Sequence, residues 1–122
     1  MAFSDPLALT LDGVAKNLVR IDSGKYSSEY ALVEATQEFR AFIRTQPKLR
    51  TDKVTGRAVV RHNISVRWTV FATPTTPEQI RQTSASIDHY FGDDVTKFDD
   101  TAIAVGSLLT AANVAKLNNG ES

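Results

Sequence analysis

The sequence predicts an α+β fold: an antiparallel sheet of about five strands followed by two helices. Three observations carry this. The stretch "RHNISVRWTVFA" alternates strictly between His62, Ile64, Val66, Trp68, Val70 and Arg61, Asn63, Ser65, Arg67, Thr69, the period of a strand with one dry face. Asp12-Gly13 sits between two apolar runs and signals a tight hairpin. After Thr73 the pattern changes to helix punctuation. Strands first and helices after reads as α+β with an antiparallel sheet.

The elements follow in order. Leu7, Leu9 and Leu11 alternate with Ala8 and Thr10, and Val14 to Ile21 returns, so residues 1–24 form an N-terminal hairpin. Residues 25–72 form the main sheet. Tyr30 to Ala35 is one strand. Glu38 to Gln46 is the next, with Phe39, Ala41 and Ile43 on one face and Arg40, Phe42, Arg44 and Gln46 on the other; Pro47 ends it. The stretch "EYALVEATQEFRAFI" also admits a helix by its Ala, Leu and Glu, but the strict alternation of its later half favours strands. A polar, basic loop over 48–58 precedes the long strand that runs to Ala72. Residues 73–117 hold two helices. Thr76 caps the first, Pro77 and Glu78 suit its first turn, Ile80, Ile87 and Phe91 form its stripe, and Gly92 stops it. A connector, "DDVTKF", leads to a second helix capped by Asp99 or Asp100, with Ile103, Leu108, Leu109 and Ala112 on its apolar side. The tail "NNGES" frays or tucks in. Two narrow stripes are too little to cover the sheet, which predicts self-association.

At 122 residues the chain is expected to be one domain. It has no cysteine, so disulfides and thiolate metal sites are excluded. No apolar run is long enough for a membrane span, and the first residues do not read as a signal peptide. The net charge of zero conceals an uneven spread. Residues 37–67 hold eight basic and two acidic residues, while 1–36 and 73–122 are both net acidic. A basic segment that is also strand-like presents a positive sheet face to an anion.

Catalytic chemistry finds no support. His62 and His89 stand far apart in different elements and read as core or interface side chains. The pairs Asp93-Asp94 and Asp99-Asp100 read as helix caps and dipole partners. No HExxH, CxxC or glycine-rich phosphate loop is present. No enzyme activity, cofactor, metal or small-molecule substrate is expected.

Element order and several segments resemble the coat proteins of single-stranded RNA bacteriophages (leviviruses). "EFRAFIRTQP", "KLRTDKVTGRAVV" and "RHNISVRWTVFATPTTPEQ" are similar to that family's strand E, FG loop, and strand G running into the first helix. "LALTLDGVAKNLVRI" is similar to its N-terminal hairpin. The resemblance implies a homodimer with one continuous sheet, each chain's helices crossing over its partner's strands. It implies assembly in the bacterial host cytoplasm into an icosahedral capsid, a virion that packages the RNA genome. In well-studied members the inner face also binds an RNA hairpin and represses translation.

On this reading Arg40, Phe42, Arg44, Arg61, Asn63, Ser65 and Arg67 face the RNA. Ile64, Val66, Trp68, Val70, Ile80, Ile87, Phe91, Ile103 and Leu108 form the dimer and helix–sheet core. Arg50, Lys53, Thr55, Gly56 and Arg57 belong to an inter-subunit loop. The competing reading is a small dimeric RNA-binding regulator that forms no shell.

Overall fold

A computed structural model of the chain describes residues 3–93 and 99–121. It divides into two compact units, 1–91 and 92–122, each taken by itself. The first is an antiparallel sheet of six strands: β1 (Leu7–Leu11), β2 (Val14–Ser23), β3 (Ser27–Val33), β4 (Gln37–Thr51), β5 (Ala58–Val70) and β6 (Gln79–Tyr90). Their order in space is their order in sequence.

The predicted hairpin is β1–β2. Asp12 and Gly13 both have positive φ, 55° and 71°, as a two-residue turn between twisted strands requires. β2 serves two partners. Its first half, Val14–Leu18, pairs with β1, and from Val19 onward it pairs with β3, with a register shift between Arg20 and Asp22. That break lets the hairpin swing onto one face of the sheet. Leu7, Leu9 and Leu11 pack there against the core of Leu18, Tyr30, Phe39 and Ala41, joined by Leu32, Ile43, Val66 and Trp68. A polar chain pins the cover. Lys16 Nζ lies 3.0 Å from Glu34, Gln37 Nε2 donates to Glu34 at 2.7 Å, and Trp68 Nε1 donates to Gln37 Oε1 at 3.0 Å.

Several expectations are corrected. Residues 79–90, expected as a helix, form β6. Its middle holds Thr83, Ser84 and Ser86, which suit a helix interior poorly, and Thr also suits a strand. Its apparent helix start is a turn: Thr73 Oγ1 accepts from the amides of Thr75 and Thr76, and Thr73 N–H donates to Thr76 O. Ile80 and Ile87, seven residues apart, imitated a helical stripe. In the strand they point to opposite faces, and Phe91 lies beyond its end. β4 does not stop at Pro47. It continues to Thr51 through a register shift between Gln46 and Arg50, where the ladder tolerates a residue without N–H. The loop is therefore 52–57 rather than 48–58. The strand expected at Tyr30 to Ala35 lies at Ser27–Val33.

The second unit holds α1 (Asp100–Leu108) and α2 (Ala111–Asn118), where one helix was expected. Thr110 breaks it. Its backbone is extended, its hydroxyl caps α2 by accepting from the Asn113 backbone N–H, and Asn113 Nδ2 donates to Leu108 O at 3.0 Å. Asp99 is the N-cap residue of α1, without a side-chain cap bond. Through Glu121 the tail turns back onto the end of α2. Gly120, with φ 78°, closes α2 as Glu121 N–H reaches Lys116 O and Gly120 N–H reaches Leu117 O. Ile103 and Leu108 are exposed in the chain. Apart from Asp93, the connector lies outside the described residues.

Candidate nucleic-acid interface

The ladder fixes which side chains share a face. β4 and β5 pair without interruption from Gln37↔Val70 to Gln46↔Arg61, and β5 and β6 from Val70↔Gln79 to Val59↔Tyr90. One face carries Phe39, Ala41, Ile43, His62, Ile64, Val66, Trp68 and Val70. The opposite face carries Arg40, Phe42, Arg44, Arg61, Asn63, Ser65 and Arg67, because side chains alternate along a strand. All seven candidate RNA residues thus form one contiguous patch. Trp68 lies on the other side, its ring 5.4 Å from that of Phe39.

The charge of this patch is lower than its arginines suggest. Arg40 Nη1 is 2.5 Å from Glu29, and its Nε also bonds Glu38. Arg61 grips Asp88 with two bonds of 2.8 and 2.9 Å. These bonds hold the Asp88 carboxyl below, and both guanidiniums above, their ordinary ranges. Asn63 donates to Ser86 Oγ at 2.9 Å. Ser65, only 5 % exposed, sits opposite Phe42, and the Arg67 guanidinium leans over that ring at 5.4 Å. Ser65 therefore lines the floor of the patch. Arg44 and the Arg67–Phe42 pair remain as cationic and stacking surface, paired with no carboxylate among the described residues.

Sequence reasoning missed Glu29, Glu38 and Asp88 as neighbours of the arginines. It also missed Gln82, Ser84 and Ser86, which extend the patch onto β6. Glu29 and Asp88 come from strands whose register no single segment reveals. Nothing inside "QIRQTSASIDHY", whose two isoleucines fall on opposite faces, signalled the rest.

The loop at 52–57 is tightly built. Asp52 Oδ1 accepts from the Val54 and Thr55 amides, its Oδ2 accepts from the Tyr90 hydroxyl at 2.6 Å, and Arg57 lies over the Tyr90 ring at 4.7 Å. The Tyr90 and backbone bonds depress the Asp52 carboxyl. Gly56 takes φ 72°. The strand last before the helices is β6, not the one holding Trp68. Lys53, Thr55, Gly56 and Arg57 lie in the loop between β4 and β5. Arg50 belongs to β4.

The family model for the coat protein of phage phiCb5 matches residues 4–90, from the start of the hairpin to the end of β6. The chain belongs to the phage phiCb5 coat protein family. No curated protein matches the coat protein. Its role is structural, and its place is the virion. The matched span is the whole six-stranded sheet, so the membership rests on the element that carries both faces. In the coat protein the apolar face is partly covered by its own hairpin, while Ile64 and Ile87 remain 40 % and 39 % exposed. No helix among the described residues is long and apolar enough to cross a membrane.

Proposed function

We propose that two copies of this coat protein join edge to edge through β6, that the dimers close into an icosahedral shell, and that the arginine face holds a single-stranded RNA genome. The observation that carries this reading is β6 itself. It is twelve residues long, ends the sheet, and exposes ten of its residues. Soluble sheets blunt such an edge with proline, lysine, bulges or short length. β6 contains no proline or lysine, has an unbroken register, and is small and uncharged at its centre, Thr83 to Ser86. β1, the other edge, has five residues and belongs to the folded-over hairpin. An antiparallel β6 pair continues both faces into the second copy. The levivirus resemblance supports the same arrangement.

RNA is held by charge and stacking. Arg44 and Arg67 supply phosphate contacts without base identity, and Phe42 supplies a platform for an unpaired base. This suits packaging. Repression through one RNA hairpin needs, in addition, a shaped pocket.

Negative-stain electron microscopy of the expressed protein tests the reading. Closed particles that carry nucleic acid are expected. A discrete dimer near twice 13.4 kDa at every concentration and salt would instead make the protein an RNA-binding regulator without a shell.

A further inference from the structure

The apolar face carries a polar feature that shell building does not use. His62 on β5 and His89 on β6, far apart in sequence, meet diagonally across the ladder. His62 is opposite Ile87 and His89 opposite Val60. Their rings stack with centroids 5.0 Å apart, and the two Nε2 atoms are separated by 2.9 Å. Each outer nitrogen is also engaged. His62 Nδ1 is 2.9 Å from Thr45 Oγ1 on β4, and His89 Nδ1 is 2.9 Å from the Tyr90 carbonyl oxygen.

These partners place the protons. A carbonyl only accepts, so His89 carries its proton on Nδ1 and leaves Nε2 as a lone pair. His62 then donates its Nε2–H to that lone pair, and its Nδ1 accepts from the Thr45 hydroxyl. The chain is complete with both rings neutral. One added proton fits: it goes to His62 Nδ1, and the hydroxyl turns to accept. A second must go to His89 Nε2, which aims N–H at N–H and sets two like charges in contact.

No carboxylate among the described residues bonds the pair to offset that charge. On the same face the neighbours are Val60, Ile64, Ile43 and Ile87. The adjacent acid, Asp88, projects from the other face into Arg61; it also feels Arg50 and, last and least, His89, which it does not bond. Asp52 is bonded by Tyr90.

We propose that His62 and His89 form an acid-sensitive latch between β5 and the open edge strand β6, closed while the pair holds at most one added proton and opened by the second. Burial, then repulsion between the two rings when both are charged, holds the His62 imidazole below its ordinary 6.5 and so disfavours the doubly protonated pair in the folded state. The folded state therefore binds fewer protons than the unfolded chain. The latch contributes in full above pH about 6.5 and is lost as pH falls below it.

The latch rests on the β5–β6 geometry. Its effect on assembly rests also on the edge pairing proposed above. Hydrogen–deuterium exchange of β6 peptides, corrected for intrinsic rate, tests it between about pH 7.5 and 5, where histidine is the side chain that ordinarily titrates. These are the chain's two histidines. Protection of β6 is expected to fall by up to about ten-fold per pH unit, and His89→Gln is expected to flatten the profile. A flat wild-type profile overturns the latch, with no variant needed. So does a fall that His89→Gln leaves unchanged. Particles that fail to form while the profile appears would sink edge pairing and leave the latch standing.

Discussion

Trp68 does two jobs with one side chain. Its ring lies against Phe39, and its N–H ends the chain that runs through Gln37 and Glu34 to Lys16. Trp68→Ala removes both and is expected to cost about 3 kcal/mol in a urea melt. Trp68→Phe keeps the ring contact, strands the Gln37 acceptor, and is expected to cost about 1 kcal/mol. Glu34 gives the same chain a pH dependence. Hydrogen bonds from Gln37 and then Lys16 hold its carboxyl below the ordinary 4.5. Its stabilisation is thus present above that value and lost as pH falls through the lower folded one. Glu34→Gln is expected to make the acid-unfolding curve shallower there, read by Trp68 fluorescence. At this scale the sequence was legible in parity and illegible in partners. That Trp68 opposes Arg61 and Arg67 follows from alternation alone. That Arg40 is neutralised by Glu29 depends on the β3–β4 register, which is set by the turn between them.

At the scale of elements, β6 shows how a local signal misleads. Thr76, Pro77 and Glu78 are good first-turn residues, and Gly92 is a good stop. Between them, however, a helix would have to hold Thr83, Ser84 and Ser86 in its interior. The strand wins because β5 offers it twelve paired positions, from Val59↔Tyr90 to Val70↔Gln79. That gain is tertiary, and nothing inside the segment announces it. The hairpin, by contrast, was legible because Asp12-Gly13 needs only its own backbone geometry. Edge pairing yields a prediction here. In a two-fold β6 pair, lysines near the strand centre face lysines of the other copy, and like charges opposed across strands repel. Ser84→Lys with Ser86→Lys is expected to weaken dimerisation at least about ten-fold in sedimentation equilibrium, leaving the subunit's circular dichroism unchanged. Unaltered self-association would place the dimer elsewhere.

At the scale of the whole molecule, the balanced charge of the chain is nearly repeated on its arginine face. Four arginines share the patch with Glu29, Glu38 and Asp88. RNA binding is therefore expected to be moderate and carried by few residues. Arg44→Ser and Arg67→Ser should each lower the slope of log affinity on log salt by about 0.7 for a mixed-sequence single strand. Glu29→Gln, which leaves Arg40 with Glu38 as its one carboxylate partner, should raise affinity. Filter binding across a salt series reads both. A slope indifferent to Arg44 and Arg67 would move the RNA to another surface.

The sheet's plain order, each strand beside its sequence neighbour from β1 to β6, bears on how the molecule is made. A strand leaving the ribosome finds its partner already in place, so no pairing waits on a distant segment. Such short-range topology favours fast folding and few trapped intermediates. The last strand synthesised is also the one left open. The sticky edge therefore comes into being only once the rest of the sheet is there to hold its register, and then meets other finished copies in place of half-made chains.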